Sequence, residues 1–247
     1  ASDRYVVSWI CGLSANGILS VANKIPSILN IFQAIFNQAW QLSTVKSYDP
    51  EDKDKFFTNT YNMYNFALTE VCSLLIVLDI VLSRILYAKD FFEAWKYVPF
   101  YLIAILFASL SGFFTGIFKA VKDGKTESLT TTIGAICNIV INLILVFSIG
   151  VIGAAIATAI SYIIIWALKI YKAKKYISLK TNLKRDIFAY VLLFVQTILL
   201  LTIKESFILY IALAGITIII TLMYIPVIKN LFISAKNIIK NKFKANK

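Results

Sequence analysis

Seven apolar stretches separated by polar or charged breaks dominate the sequence, each close to the about 20 residues that an α-helix needs to cross the hydrocarbon core of a bilayer. They run at roughly 17–43, 60–87, 97–118, 127–149, 150–171, 187–203 and 206–228. In hydrocarbon every backbone N–H and C=O must be satisfied internally, so a chain of such runs folds as helices. The expected fold class is all-α: a polytopic transmembrane helix bundle of about seven spans plus the end of an eighth. Residues 1–12 read as the last turns of that eighth helix, its beginning missing. The chain opens on Ala1 with no signal-peptide pattern, which reads as a fragment of a larger protein.

Composition excludes the other classes. With 59% hydrophobic residues, 15% charged and a mean hydropathy of +0.77, the chain is too apolar to be soluble or disordered. It has no histidine, and Cys11, Cys72 and Cys137 stand far apart in apolar runs. A zinc site, a haem site or a Cys/His nucleophile therefore has no materials, and neither a cofactor, a metal nor a catalytic group is expected.

The net charge of +12 reports topology. Basic residues collect in alternate loops: Lys46, Lys53 and Lys55; then Lys119, Lys122 and Lys125; then seven between Lys169 and Arg185; then six from Lys229 to Lys247. The opposite loops hold Arg84, Lys89, Lys96 and Lys204. By the positive-inside rule the C-terminus is cytoplasmic. The lysines of the tail read first as this topology signal and second as a contact for anionic membrane lipids; the tail lacks the interleaved aromatics of a nucleic-acid arm, and no nucleic acid is expected. The acidic run at 49–54 reads as a solvated turn.

Polar residues inside the spans are patterned. Asn16, Asn23, Asn30 and Asn37 recur every seven residues in the first span, with Ser20, Ser27, Gln38 and Gln41 beside them, covering an arc of roughly 100°. The second span carries Thr58, Asn62, Asn65, Thr69 and Ser73, and the fourth Thr131, Asn138 and Asn142. So many amides exceed what interhelical bonding, at about 0.6 kcal/mol per contact, calls for, and they predict a water-filled cavity. Helices six and seven offer little beyond Gln196, Thr197, Thr217 and Thr221, which places them at the lipid edge. Lys24, Glu70 and Asp79 are intramembrane charges, each costing about 2.5–3.5 kcal/mol at a helix centre. Lys24 and Asp79 fall at similar depth on antiparallel spans and could pair, while Glu70 lies nearer mid-membrane. Pro26 removes a backbone bond and should hinge the first span. Gly112 and Gly116, and the run Gly153, Ala157, Ser161, have the spacing of close helix packing.

The stretches at 16–29 (NGILSVANKIPSIL), 38–43 (QAWQLS), 91–99 (FFEAWKYVP) and 150–162 (GVIGAAIATAISY) resemble the C-terminal half of Wzx-like polysaccharide, or O-antigen, flippases of the multidrug/oligosaccharidyl-lipid/polysaccharide exporter superfamily. The resemblance implies that residues 1–175 form the second transporter bundle, from the end of helix 7 to helix 12. It leaves 176–228 as two peripheral helices and 229–247 as a basic cytoplasmic tail. It further implies a bacterial cytoplasmic-membrane flippase that moves undecaprenyl-pyrophosphate-linked oligosaccharide by alternating access. Arg4, of SDRY at the end of helix 7, and Lys24 would face its cavity. The expected partners are the lipid-linked oligosaccharide, membrane lipids, the absent N-terminal bundle, a polysaccharide polymerase and glycosyltransferases.

The expected cavity set is Arg4, Asn16, Asn23, Lys24, Asn30, Asn37, Gln41, Asn62, Asn65, Glu70 and Asn138, with Pro26 as hinge. Amides and hydroxyls exchange hydrogen bonds with sugars, and Arg4 and Lys24 offset a pyrophosphate charge. Two alternatives remain. A cation-coupled drug or metabolite antiporter would use a carboxylate such as Glu70. A membrane-embedded glycosyltransferase or polymerase would need acid/base groups at an interface and a sizeable external loop, and no external loop here exceeds about ten residues.

Overall fold

The structure, a computed structural model, describes residues 2–229 and is helical throughout, without a strand among them. Among the described residues the α-helices are, in order, α1 (Ser2–Cys11), α2 (Leu13–Ala22), α3 (Pro26–Lys46), α4 (Phe56–Leu86), α5 (Val98–Ala120), α6 (Gly124–Ile149), α7 (Val151–Ala173), α8 (Leu183–Thr202) and α9 (Phe207–Met223). A 3₁₀ segment, Lys89–Tyr97, leads into α5. The boundaries follow local chemistry. Asp123, Asn182 and Ser206 cap α6, α8 and α9 by accepting from the N–H groups of Thr126, Arg185 and Leu209. Gly150, at φ 70°, makes the tight turn between α6 and α7.

Among the described residues five helices are long and apolar enough to cross a bilayer, and the pair α2 and α3, bent by 56°, passes the same test when its two parts are taken together. Pro26 has no N–H to donate back into α2 and sits at the start of α3, so the bend falls where the sequence places a hinge. The seventh expected span is shorter than foreseen. α9 has 17 residues, about 26 Å of helix, and breaks at Tyr224, with helical backbone resuming over 225–229. The basic tail beyond Lys229 lies outside the described residues.

Of these five spans the one containing α5 is the most enclosed and α6 the least. α5 packs against α3, α4 and α7; α6 pairs with α7; α1 lies against α2, α6 and α7; α8 and α9 pair with each other and dock on α4. The glycine spacing on α5 works as packing. A Cβ at Gly112 would come within 3.3 Å of Asn37, and one at Gly116 within 2.6 Å of Trp40 Nε1. That closeness lets the Trp40 indole donate to the Phe113 carbonyl at 2.9 Å and stack on its ring at 4.2 Å.

The three basic loops meet at one end of the bundle. Tyr48 OH donates to the Tyr176 carbonyl at 2.6 Å, Tyr176 OH to Asp123 Oδ2 at 2.5 Å, and Ser178 N to the Pro50 carbonyl at 3.1 Å. The acidic run is a turn whose carboxylates serve backbone donors: Asp49 accepts from Glu51 and Lys53, and Asp52 from Phe57 and Thr58 at the start of α4. Bonds from Thr126 and the Tyr176 hydroxyl hold the Asp123 carboxyl down at about 2, below the about 3.9 of a free aspartate. A depressed folded value means that its contribution is complete above the unfolded value and is lost as pH falls toward the folded one. The α6 cap and the tie to Tyr176 should therefore loosen between pH ~4 and ~2. Amide exchange at Thr126 that stays unchanged across that window in wild type would refute this.

Candidate functional site

A cavity of about 580 Å³ opens among α1, the broken α2–α3 span, α5 and α7. Asp3 and Arg4 enter from α1, Asn23, Ser27, Asn30 and Gln33 from the broken span, Tyr101 from α5, and Thr158 and Tyr162 from α7. The lining is therefore mostly hydroxyls and amides with one guanidinium. A smaller cavity of about 220 Å³ between α6 and α7 shares Asp3, Thr158 and Tyr162 with it and adds Thr131, Asn138 and Ser161. Asp3 is the junction: Oδ1 accepts from Asn142 at 2.8 Å and Oδ2 from Thr158 at 2.9 Å, tying α1 to α6 and α7. Those bonds leave the neighbouring Arg4 exposed toward the larger cavity.

Of the expected set, Arg4, Asn23 and Asn30 line the larger cavity and Asn138 the smaller. The other positions on the broken span part company with them. Asn16 donates to Ser8 of α1 at 2.9 Å, Asn37 packs against Gly112 of α5, and Gln41 is exposed beyond the cavity. Lys24 is exposed in the break itself, with no ion pair to Asp79, which is fully buried on α4. The seven-residue repeat holds one face only on a straight helix; a 56° bend through residues 23–25 sends its two ends to different neighbours.

The α4 stripe has a different role from the one expected. It faces α8 and α9, away from the cavity. Asn62 Oδ1 accepts from Arg185 at 2.8 Å. Asn65, fully buried, accepts from Tyr190 OH at 2.8 Å and donates to Tyr224 OH at 3.3 Å. Glu70 Oε1 accepts from Thr221 at 2.9 Å, and Ser73 joins Gln196 and Thr217 at 3.0 and 2.7 Å. At one end Arg185 pairs with the fully buried Asp186 at 2.8 Å, lies 4.2 Å over the Tyr224 ring, and Tyr224 OH donates to the same Asp186 oxygen at 3.0 Å. Asn62, Asn65 and Glu70 thus hold two helices together. α8 and α9 do lie at the edge, with Phe188, Val191, Ile211 and Ile218 facing outward, but their inner faces carry polar partners that a stripe count on either helix alone does not show.

Asp3, Gln33, Tyr101, Thr158 and Tyr162 are polar residues of the larger cavity that sequence reasoning missed. Asp3 had a signal, a carboxylate beside Arg4 in an apolar helix, whereas the two tyrosines have the look of ordinary core aromatics. Among the described residues no three His, Cys, Asp or Glu side chains stand close enough to hold a metal.

The family model for the lipid II flippase MurJ matches residues 41–227. The chain belongs to the MurJ lipid II flippase family. This family consists of transporters, not enzymes, and lies within the superfamily that the sequence resembles, although the matched family is that of lipid II rather than of Wzx-like polysaccharide flippases. Among solved structures, the chain is similar to a lipid II flippase MurJ in its inward closed conformation, with a TM-score of 0.66 at 21% identity over 94% of this chain. It spans 50% of that structure's length, and the likeness is one of fold. No curated protein sequence matches the chain.

Proposed function

We propose that the chain forms one wall of a flippase that carries a lipid-linked, sugar- and phosphate-bearing precursor across the cytoplasmic membrane, with the headgroup passing through the cavity between α1, α2–α3, α5 and α7. The observation that carries this reading is the chemistry of that cavity in a chain of this family: amides and hydroxyls around the exposed guanidinium of Arg4, with the one lining carboxylate, Asp3, already bonded to Asn142 and Thr158. Amides and hydroxyls bond to sugars without a fixed partner, while Arg4 offers a fork of donors to a phosphate. The lipid tail stays in the bilayer. The family match favours the peptidoglycan precursor lipid II as cargo over an undecaprenyl-pyrophosphate-linked oligosaccharide repeat unit for surface polysaccharide. The clustering of the loops bearing Lys53, Lys122 and Lys175 at one end supports the positive-inside orientation, with that end and the C-terminus cytoplasmic. Asn16, Asn37 and Gln41 belong to the support of the broken span in this reading, and Lys24 to its hinge beside Pro26.

In vesicles reconstituted with the intact transporter, Arg4→Ala should slow translocation of lipid II about tenfold or more, the effect of one lost charge-assisted bond, while insertion and helix content stay unchanged. Wild-type translocation by that variant would remove Arg4 from the path. Loading the same vesicles with a lipid-linked oligosaccharide repeat unit instead separates the cargos: transport of that lipid and not of lipid II would reverse the assignment.

A further inference from the structure

Asp79 is fully buried on α4, about 10 Å inside the helix's last residue. Its Oδ1 accepts from Ser83 Oγ at 3.2 Å, and its Oδ2 has no hydrogen-bond partner. One turn beyond Ser83, which is also fully buried, the enclosed Tyr87 hydroxyl lies near Ser83 and the Ile25 backbone and completes a hydrogen bond to neither. Ile25 is itself fully buried and is the last residue of the break between α2 and α3. The column Asp79, Ser83, Tyr87 therefore runs from inside α4 to the hinge of the broken span.

No cation answers this carboxyl among the described residues. Lys24, next to Ile25, is exposed. Arg84 pairs with Glu205 of the α8–α9 turn, and Tyr210 of α9 donates to the same glutamate. On the 3₁₀ segment Lys96 pairs with Glu93, and Asp90 is exposed. On α4 itself Glu70 is bound to Thr221, more than two turns away, and the Arg185–Asp186 pair of α8 belongs with Asn62 at the opposite end of α4. An ionised carboxylate so enclosed and so poorly hydrogen-bonded costs far more than the neutral acid, which has one unmade bond at most.

We propose that Asp79 is a proton-binding site, a neutral carboxylic acid near neutral pH in this bent conformation, placed between α4 and the hinge of the broken span. Loss of that proton would set an uncompensated negative charge against the hinge, so the occupancy of the site and the bend are linked.

Infrared difference spectroscopy of the intact transporter in lipid, wild type minus Asp79→Asn, tests this near neutral pH. The expected difference contains the carbonyl stretch of a protonated carboxyl that the variant lacks, while the thermal midpoint stays close to wild type because the amide has the acid's shape and neutrality. The symmetric and antisymmetric bands of a carboxylate in its place would overturn the proposal. Should Asp79→Asn fail to fold, Ser83→Ala reads the same site: removing the only hydroxyl bonded to Oδ1 should raise the frequency of the protonated-carboxyl band, and a spectrum without any shifted acid band would overturn it equally.

Discussion

Gly153→Ala should unfold the α6–α7 hairpin at a markedly lower temperature than wild type, with a loss of about 3 kcal/mol or more, the upper end of what overpacking costs. A Cβ at that position would stand 2.4 Å from the Leu145 carbonyl oxygen, 2.5 Å from its carbon and 2.9 Å from Val146 N. These are backbone atoms, so no rotamer change relieves the contact. The turn must open, breaking the bond from Gly150 N to the Val146 carbonyl and the bond from Gly153 N to the Gly150 carbonyl. Because α7 and α1 meet through Thr158 and Asp3, an opened hairpin also disturbs the cavity wall. Gly215→Ala is the control: nothing lies within 4 Å of a Cβ there, and an alanine in the middle of α9 should be neutral or stabilising by about 0.5–1 kcal/mol. Equal midpoints for the two variants in a detergent melt would show that the hairpin tolerates the methyl and that the argument from Leu145 fails.

Arg185→Met should detach α8 and α9 from α4, at a cost of about 3–5 kcal/mol, the range for breaking one side of a buried ion pair. The side chain of Arg185 is 13% exposed and that of Asp186 not at all, so the arginine's loss leaves an enclosed carboxylate with no cation and the Tyr224 hydroxyl as its remaining donor at 3.0 Å. It also removes the donor to Asn62 and the cation over the Tyr224 ring. Amide exchange should accelerate across α8 and α9 and stay slow in α5 and α7, which pack elsewhere. Uniform exchange rates in the variant would mean that the two helices are held by apolar contact alone. Asp186→Asn should be milder, since the arginine left behind is close enough to the surface to reach water.

Helical class, the apolar runs as helices, the position of the bend and the close approach at the α5 glycines were legible in the sequence, although the seventh run is shorter than a span. Apolar runs of bilayer length admit few alternatives, Pro26 has no N–H to give, and Gly112 and Gly116 are spaced to meet one neighbour. The candidate site was legible only in part. Arg4, Asn23, Asn30 and Asn138 line the two cavities, but the same residue types at the same helical spacing elsewhere do other work. Asn62 and Asn65 look like Asn23 and Asn30 in a one-dimensional pattern, and their difference lies in what stands opposite: Arg185, Tyr190 and Tyr224 from helices more than a hundred residues later, against open space.

The sequence by itself determined which segments are helices and where one of them bends, since backbone satisfaction in hydrocarbon and the geometry of proline are local constraints. It also fixed which faces carry polar groups. Only the tertiary structure decided which of those faces stay open and which are closed by another helix. A polar stripe is equally content with water or with a neighbouring hydroxyl, and the choice depends on the docking of α8 and α9 on α4 and of α1 on α2, α6 and α7.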